Sequence, residues 1–414
     1  MGLRASRLLR FSLSRSQGTM LTLGLLVTLN MHLLLFSYSP LLRDVALEMR
    51  LSDAEAGLVF SVSILTLMVF RVPWGMLFDR RGFRTTMTLA LVLMGIFGLV
   101  RGFAVDYGML LASQFLLGVG LSAVIPCLPK LVSSWFPQQR AGLATGVCMA
   151  GFPFGQVLGL SLTPYLVEAL GSWRQVFQAY GVWVFVLTFL WWKFASENPE
   201  KRTASTVGPK RSFKQDFAVL LGMKEVWLLT GLYFCAAGCF DTTLLWLPDV
   251  LESRGVDPFM ATMVASMLPV GFLGATTMVG TFSDKVGLRR PFILVLGLVS
   301  GPAIYLTGVM LGPATYATAF LAGFCTVGIL TLTLAIPIEL PKLSPFLSSA
   351  LGLISSVGNA GSFFLPTIVG QIRDLTGTFL VSIFILAVIG ECMFLLGLML
   401  SETGRKGKSN VAEN

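Results

Sequence analysis

Gly75-Met-Leu-Phe-Asp79-Arg80-Arg-Gly82-Phe-Arg84 is a short charged segment between two long apolar runs. A related segment, Gly280-Thr-Phe-Ser-Asp284-Lys285-Val-Gly287-Leu-Arg289, occurs 205 residues later. Two more pairs follow in the same order, and they are Leu128-Pro129-Lys130-Leu131 with Leu340-Pro341-Lys342-Leu343, and Gly146 and Gly155 with Gly352 and Gly361. Three matches in the same order indicate a duplicated unit.

Long apolar runs dominate the rest of the chain. Of its 414 residues, 55% are hydrophobic and only 12% are charged, whereas soluble domains carry about 25% charged residues. A helix needs roughly 20 apolar residues to cross a bilayer. Twelve runs qualify, at about 19–42, 54–78, 85–104, 107–133, 141–168, 175–195, 226–251, 259–283, 291–311, 314–340, 346–371 and 378–400. The sequence therefore predicts an all-α membrane protein with twelve transmembrane helices.

The distribution of basic residues predicts the orientation of these helices. With the N-terminus in the cytoplasm, six arginines fall on the other side and Arg71 falls within a span, which leaves 23 of the 30 Lys and Arg on cytoplasmic segments. Such a bias is the positive-inside pattern, and it requires both termini inside. The net charge of +9 then reflects orientation, so we expect no nucleic-acid partner.

The longest polar and basic stretch divides the chain into two parts of six spans. We predict an N-terminal half at 1–195, a cytoplasmic linker at 196–225, and a C-terminal half with a short tail at 226–414. All six cysteines lie in predicted spans without metal-ligand or disulfide spacing. Because no nucleophile–base pair, metal cluster or phosphate loop is visible, we expect no enzyme activity, no metal and no cofactor. We expect a monomer whose partners are the lipid bilayer and a small molecule.

The duplicated segment resembles the signature loop of the major facilitator superfamily, G-x-L-x-D-R-x-G-R-R. The first copy matches at Gly75, Leu77, Asp79, Arg80, Gly82 and Arg84, and the second copy keeps Gly280, Asp284, Lys285, Gly287 and Arg289. The resemblance implies two pseudo-symmetric six-helix halves in a membrane, here a bacterial inner membrane. It also implies a secondary transporter that moves a small solute by alternating access between the halves.

The same resemblance assigns a gating role to the loops. Asp79 is expected to face the start of span 11, and Asp284 the start of span 5. Both contacts would close the cytoplasmic side, because a carboxylate is favoured at a helix N-terminus. Arg80, Arg84 and Arg140 would complete the charge network. The alternative is that these arginines only set the topology.

Arg71 is the most informative polar residue at membrane depth. It lies eight residues before Asp79, which is about 12 Å along a helix. An arginine near the bilayer centre costs roughly 2.5–3.5 kcal/mol on insertion scales, so it usually faces a cavity. Its planar fork suits a carboxylate or another oxyanion. We predict an anion site, with a structural ion pair as the alternative.

The segment around Arg71, Phe70-Arg71-Val72-Pro73, resembles the nitrate/nitrite branch of the superfamily. Gly358-Asn359-Ala360-Gly361 echoes the glycine-asparagine signature of that branch. The chain also has a general resemblance to the cyanate-permease group. The nitrate branch carries a second arginine in span 8, where this chain has Thr276. A single arginine favours a small monovalent anion.

Other polar and aromatic residues in the spans complete the candidate site. His32 titrates near neutral pH, which suits substrate binding or proton coupling. Asp241 in span 7 could carry a proton or neutralise Arg71, and Glu391 in span 12 is either a second proton carrier or a packing residue. Further substrate-binding candidates are Asn359, Gln156, Tyr38 and Trp246.

Two transporter mechanisms remain open at this stage. The first is transport of a small monovalent organic or inorganic anion, as a uniporter, a proton symporter or an anion exchanger. The alternative is a drug or metabolite efflux antiporter of the same fold. Asp241 and Glu391 favour the alternative, whereas Arg71 opposes it. The Gly-Pro antiporter motif of one exporter branch is absent, because Phe152 precedes Pro153 in span 5.

Overall fold

The computed structural model describes residues 14–197 and 219–404, and the greater part of the predicted linker lies outside them. The described residues form a helical bundle in which twelve helices are long and apolar enough to cross a membrane. In chain order, spans 1 to 12 are Arg15–Met49, Asp53–Arg81, Phe83–Phe103, Tyr107–Trp135, Arg140–Leu170, Trp173–Phe194, Lys224–Glu252, Pro258–Val286, Arg290–Val309, Ala314–Glu339, Ser349–Thr376 and Phe379–Met399. The predicted number of spans is confirmed.

Local sequence signals set the ends of the spans. Span 2 begins with a capping box, in which the Ser52 side chain accepts from the Glu55 N–H while the Glu55 carboxylate accepts from the Ser52 N–H. A cap of this kind stabilises a helix by about 1 kcal/mol. The span ends at Gly82, whose φ of 79° favours a residue without a Cβ. The signature-loop glycine is therefore a helix terminator.

Span 5 is broken in the middle, near its proline. Its first helix ends at Met149 and its second begins at Gly151. Pro153 has no N–H to donate to the Met149 carbonyl four residues earlier, and its ring crowds that carbonyl. The break therefore has a local chemical cause.

Small residues allow spans of the same half to pack backbone against backbone. A Cβ on Gly155 in span 5 would overlap the Leu29 carbonyl of span 1, and a Cβ on Gly361 in span 11 would overlap the Phe234 carbonyl of span 7. These two glycines were matched as repeats from the sequence alone. Their contacts are equivalent: span 5 packs on span 1 in the same way that span 11 packs on span 7. Such close backbone approach is expected where small residues face each other in membrane helices.

The spans have two ends. The end with the loops at 79–84 and 284–289 is called the motif side, and the opposite end is called the far side. On the far side, spans 1–6 and spans 7–12 are in direct contact. Gly57 lies so close to span 11 that a Cβ would be 2.6 Å from the Pro366 carbonyl. The Ser39 hydroxyl donates to the Leu245 carbonyl at 2.6 Å.

Charged groups reinforce the far-side contact between the two sets of spans. Arg373 of span 11 pairs with Asp53 of span 2 at 2.5 Å, and Arg43 pairs with Glu252 at 3.3 Å. The Asp374 carboxylate accepts hydrogen bonds from the Asp53 and Ala54 N–H groups, both at 2.9 Å. Asp374 therefore caps the N-terminus of a helix in the other half, where a negative charge is favoured.

The motif side is open between the two sets of spans. A Cβ added to Gly75 in span 2, to Gly142 or Gly146 in span 5, or to Gly352 in span 11 would meet no atom of the described residues within 4 Å outside its own local backbone. The same spans are tightly packed near their far-side ends. The structure therefore shows a single conformation, which is closed on the far side and open on the motif side.

Candidate functional site

Arg71 lies in the part of span 2 that borders the open side. Its guanidinium is half-buried, and the Nε atom is buried without a hydrogen-bond partner. Among the described residues, no carboxylate lies within ion-pair distance of it. Its electrostatic neighbours are His32 of span 1 and Tyr233 of span 7. The guanidinium is thus available to a ligand, and the alternative in which Asp241 pairs with Arg71 is not seen among the described residues.

His32 contributes a second free nitrogen. Its ring packs edge-on against Phe152 of span 5 at 4.5 Å between centroids, and it stacks on Phe36 at 5.9 Å. The Nδ1 atom has no partner in the described part of the chain. The two aromatic rings hold the imidazole in place while one polar edge stays unsatisfied.

Span 7 supplies Asp241 and Tyr233 from the second set of spans. Asp241 is half-buried and lies beside Ser362 of span 11, and it interacts electrostatically with Tyr233. The Tyr233 ring rests on Gly358 of span 11, where a Cβ would be 2.5 Å from the ring. Sequence reasoning missed Tyr233. Its only signal in the sequence is that it is a tyrosine in a span that also carries the carboxylate Asp241.

Gln156 of span 5 and Asn359 of span 11 are both buried. The Gln156 Oε1 and the Asn359 Nδ2 atoms have no hydrogen-bond partner among the residues described. Leaving a buried polar group unsatisfied costs about 1–3 kcal/mol. Both remain candidates to contact a solute.

Tyr38 and Trp246, predicted as substrate contacts, lie in the packed far-side region in this conformation. Tyr38 is fully buried and donates its hydroxyl to the Ala56 carbonyl at 3.1 Å. Trp246 is 1% exposed and donates its Nε1 to the Pro366 carbonyl at 3.0 Å. Both aromatic side chains are satisfied by backbone groups in the packed far-side region.

Glu391 lies away from these polar groups. Its carboxylate is packed against Gly301, at the contact between spans 9 and 12. Of the two roles predicted for Glu391, proton carrier or packing residue, the packing role fits this position. Within the described ranges, Asp241 is linked to Arg71 only through Tyr233, which interacts electrostatically with both.

The signature loops form charge pairs within their own halves. Asp79 pairs with Lys130 of span 4, and Arg84 donates to the Trp192 carbonyl at 2.7 Å. The approach of Asp79 to span 11 and of Asp284 to span 5 stays a prediction for the state in which the motif side is closed, because the halves are apart on this side here. Gly75, Arg80, Arg140, Gly280 and Lys285 lie on this same side.

The second loop is organised by Arg289. The guanidinium bonds Glu339 and Asp284, each at 2.5 Å, and donates to the Ser283 hydroxyl at 2.8 Å. Hydrogen bonds to Glu339, and then to Asp284, raise the pKa of Arg289 above its usual value. Its positive charge is therefore permanent and structural.

The signature loops are also contacted by two glutamates that sequence reasoning did not identify. Glu197, just after span 6, lies against Gly82. Glu402, just after span 12, accepts hydrogen bonds from the Arg289 N–H at 2.7 Å and the Arg290 N–H at 3.2 Å. Each follows a serine, and they are 205 residues apart, which is the offset of the loops themselves. That offset was the signal that could have found them.

Comparisons with known proteins agree with this architecture. The sequence model described as Major Facilitator Superfamily matches residues 21–366. The chain is 25% identical to a nitrite extrusion protein of Bacillus subtilis (strain 168) over 374 residues, which cover 86% of this chain and 88% of that protein. It is 22% identical to a putative tartrate transporter of Agrobacterium vitis over 394 residues, 88% of this chain and 89% of that one.

A third relative is a 3-(3-hydroxy-phenyl)propionate transporter of Escherichia coli (strain K12), 30% identical over 294 residues and covering 70% of each chain. The fold is similar to the crystal structure of a bacterial homolog of the human lysosomal transporter Spinster in an inward-facing, unoccupied conformation. The TM-score is 0.74 at 16% identity, covering 94% of this chain and 96% of that one. Twelve spans, a duplicated signature loop and these matches agree: the chain belongs to the Major Facilitator Superfamily, and it is a multi-pass membrane transporter rather than an enzyme.

Proposed function

We propose that this transporter carries a small monovalent anion, organic or inorganic, and that Arg71 is the group that binds it. The observation that carries the proposal is the Arg71 guanidinium, which has no carboxylate within 4 Å in the described ranges and a buried Nε without a partner. A charge at membrane depth is costly. A bound anion would supply the missing partner.

The groups around Arg71 are suited to an acceptor-rich ligand. Asn359 Nδ2 is a hydrogen-bond donor, and His32 Nδ1 can donate or accept. Both are buried and unpartnered. They come from the two different sets of spans, so one anion could contact both halves. Such a bridge would couple binding to the relative movement of the halves.

The charge of the site favours a single negative charge on the solute. The position equivalent to Arg71 in the repeat is Thr276, whose hydroxyl bonds carbonyls of its own helix. The relatives are described as transporters of anionic solutes, among them nitrite, tartrate and sulfoacetate. This agreement supports the anion class, and the single arginine, with Thr276 at the equivalent position of the repeat, supports a monovalent member of it.

The motif side corresponds to the cytoplasm in the orientation predicted from the basic residues. The structure would then represent the inward-open state, in which the anion site exchanges with the cytoplasm. Alternating access requires a second state, in which the far-side contacts separate and the motif side closes.

Arg71→Gln is expected to remove anion binding without unfolding the protein. Charged hydrogen bonds contribute about 1.5–3 kcal/mol, so the affinity should fall at least tenfold. The measurement is the melting temperature of the purified protein across a panel of small anions, organic cations and neutral drugs, because a ligand that binds the folded state raises it. Glu391→Gln, a charge change outside the cavity, is the matched control.

Two outcomes of this panel would separate the candidate functions. Stabilisation by one class of monovalent anions that is lost in Arg71→Gln and kept in Glu391→Gln supports the proposal. Stabilisation by apolar cations alone, equal in all three proteins, would contradict it and favour the efflux antiporter.

Asp241→Asn tests proton coupling at the same site. If Asp241 carries the proton, the amide should abolish anion-driven proton movement in proteoliposomes, because it cannot titrate. Exchange of labelled for unlabelled anion should continue, because it needs no net proton transfer. A pH-sensitive dye inside the vesicles and an isotope flux measure the two activities separately. Unchanged proton movement in Asp241→Asn would show that another group, such as His32, carries the proton.

A further inference from the structure

A small cavity on the far side lies apart from the proposed transport site. Its volume is about 190 Å³, and it is formed by the far-side ends of spans 7, 9, 11 and 12. The polar groups on its wall are Arg254, Arg373, Ser253 and Thr378, and no lining residue is acidic. Two guanidinium cations and two hydroxyl groups around one cavity are chemically suited to bind an anion.

The two arginines are held in place by different partners. Arg254 donates one hydrogen bond to the Gly308 carbonyl at 2.7 Å, and no carboxylate of the described residues lies within 4 Å of it. Arg373 bonds Asp53 at 2.5 Å, and its guanidinium lies 5.2 Å from the Phe379 ring centre. A guanidinium has five N–H donors, so each arginine keeps donors for a ligand.

The N-terminus of span 12 forms another part of the wall. Thr378 caps this helix by accepting from the Leu380 N–H at 3.3 Å, and Thr378, Phe379 and Leu380 all line the cavity. The N-terminus of a helix carries a partial positive charge that favours anions. Together with the arginines, it makes the cavity suitable for a phosphate group.

Apolar surface continues from this cavity along span 12. Leu380 is 50% exposed and Phe384 is 58% exposed. Because span 12 is a membrane span, these side chains face lipid rather than water. An acyl chain could lie on them while its headgroup occupies the cavity.

We propose that this far-side cavity, built by Arg254, Arg373 and the N-terminus of span 12, binds the phosphate group of an anionic phospholipid. Arg373 also belongs to the far-side contact with Asp53. A bound phosphate would compete with Asp53 for the same guanidinium. Binding of the lipid would therefore weaken the contact that keeps the far side closed.

The test uses the full-length protein, purified in detergent and depleted of lipid, with native mass spectrometry to count bound lipid. Phosphatidylglycerol is expected to bind more tightly than phosphatidylcholine, whose headgroup carries no net charge. Arg254→Gln should weaken phosphatidylglycerol binding about tenfold, in line with loss of a charged hydrogen bond. Arg254 is the preferred position because it takes no part in the Asp53 contact. Arg254→Lys should retain part of the binding.

Arg50→Gln is the matched control, since it removes an exposed arginine of the same side outside the cavity. Glycerol 3-phosphate forms the soluble arm of the experiment. If glycerol 3-phosphate raises the melting temperature of the wild type but not that of Arg254→Gln, the cavity binds phosphate and its ligand is a soluble phosphate ester rather than a lipid. Equal binding of phosphatidylglycerol to wild type, Arg254→Gln and Arg50→Gln would overturn the proposal.

Discussion

Gly352→Leu is expected to leave the protein folded, to hold it in the conformation described here, and to abolish transport. A side chain at Gly352 meets open space in this structure, so the substitution should not disturb this state. The other state must close the motif side. Gly352 lies 18 residues before Gly370 in span 11, which is five helical turns and therefore the same face, about 27 Å away.

Span 2 has the matching arrangement. Gly57 and Gly75 are also 18 residues apart. At the far side, Gly57 lies against Pro366 and Gly370 lies against Asp53, so the two spans meet through glycines. At the motif side, Gly75 and Gly352 lie on the same two faces, and no described residue lies within 4 Å opposite them. We infer that these glycines meet when the motif side closes, and that a leucine there would prevent closure.

Spin labels on both sides of a cysteine-free background measure the effect of Gly352→Leu. Suitable pairs are Arg81 with Lys285 on the motif side and Arg50 with Leu375 on the far side, all of which are exposed. Overpacking costs about 1–3 kcal/mol, which shifts a two-state equilibrium roughly fivefold to 150-fold. Gly352→Ala should have a smaller effect. Wild-type transport by Gly352→Leu would contradict the inferred closure.

Gly370→Leu is expected to have the opposite effect, opening the far side and closing the motif side. Even a Cβ at this position would overlap the Asp53 carbonyl of span 2. Backbone cannot move aside as a flexible side chain can, so the two spans must separate. Their separation would also break the hydrogen bonds from the Asp53 and Ala54 N–H groups to Asp374.

The same spin-label pairs should show a longer Arg50–Leu375 distance and a shorter Arg81–Lys285 distance in Gly370→Leu. The control is Gly361→Leu, whose overlap with the Phe234 carbonyl lies within one half. That substitution should lower the melting temperature without shifting the distances in this pattern. Unchanged distances in a folded Gly370→Leu protein would mean that the far-side contact tolerates the extra volume.

Most of the fold was predictable from the sequence because its signals are local. Runs of about 20 apolar residues predict spans wherever they occur, and the repeated loop predicts the duplication. Gly155 and Gly361 were matched from sequence, and their packing is equivalent in the structure. Arg71 was predictable for a similar reason, since a charge inside an apolar run needs a partner or a cavity.

The remaining site residues depend on tertiary structure and on the conformational state. Tyr38 and Trp246 are satisfied by carbonyls of neighbouring spans, and nothing in their own sequence neighbourhood distinguishes them from cavity residues. The contacts predicted for Asp79 and Asp284 depend on which side of the bundle is closed. A sequence does not specify which of two states is occupied, because both must be accessible for transport.

The docking of Glu197 and Glu402 on the two loops bears on how the protein could be divided into two separately expressed polypeptides. Each half ends with a short extension that packs on its own signature loop, as shown by Glu197 against Gly82 and by Glu402 at the Arg289 and Arg290 N–H groups. A break placed before Glu197 would remove that extension from the first fragment. A break placed after it would give two fragments that each end in the same way, so reassembly from separate chains should succeed only with the later break.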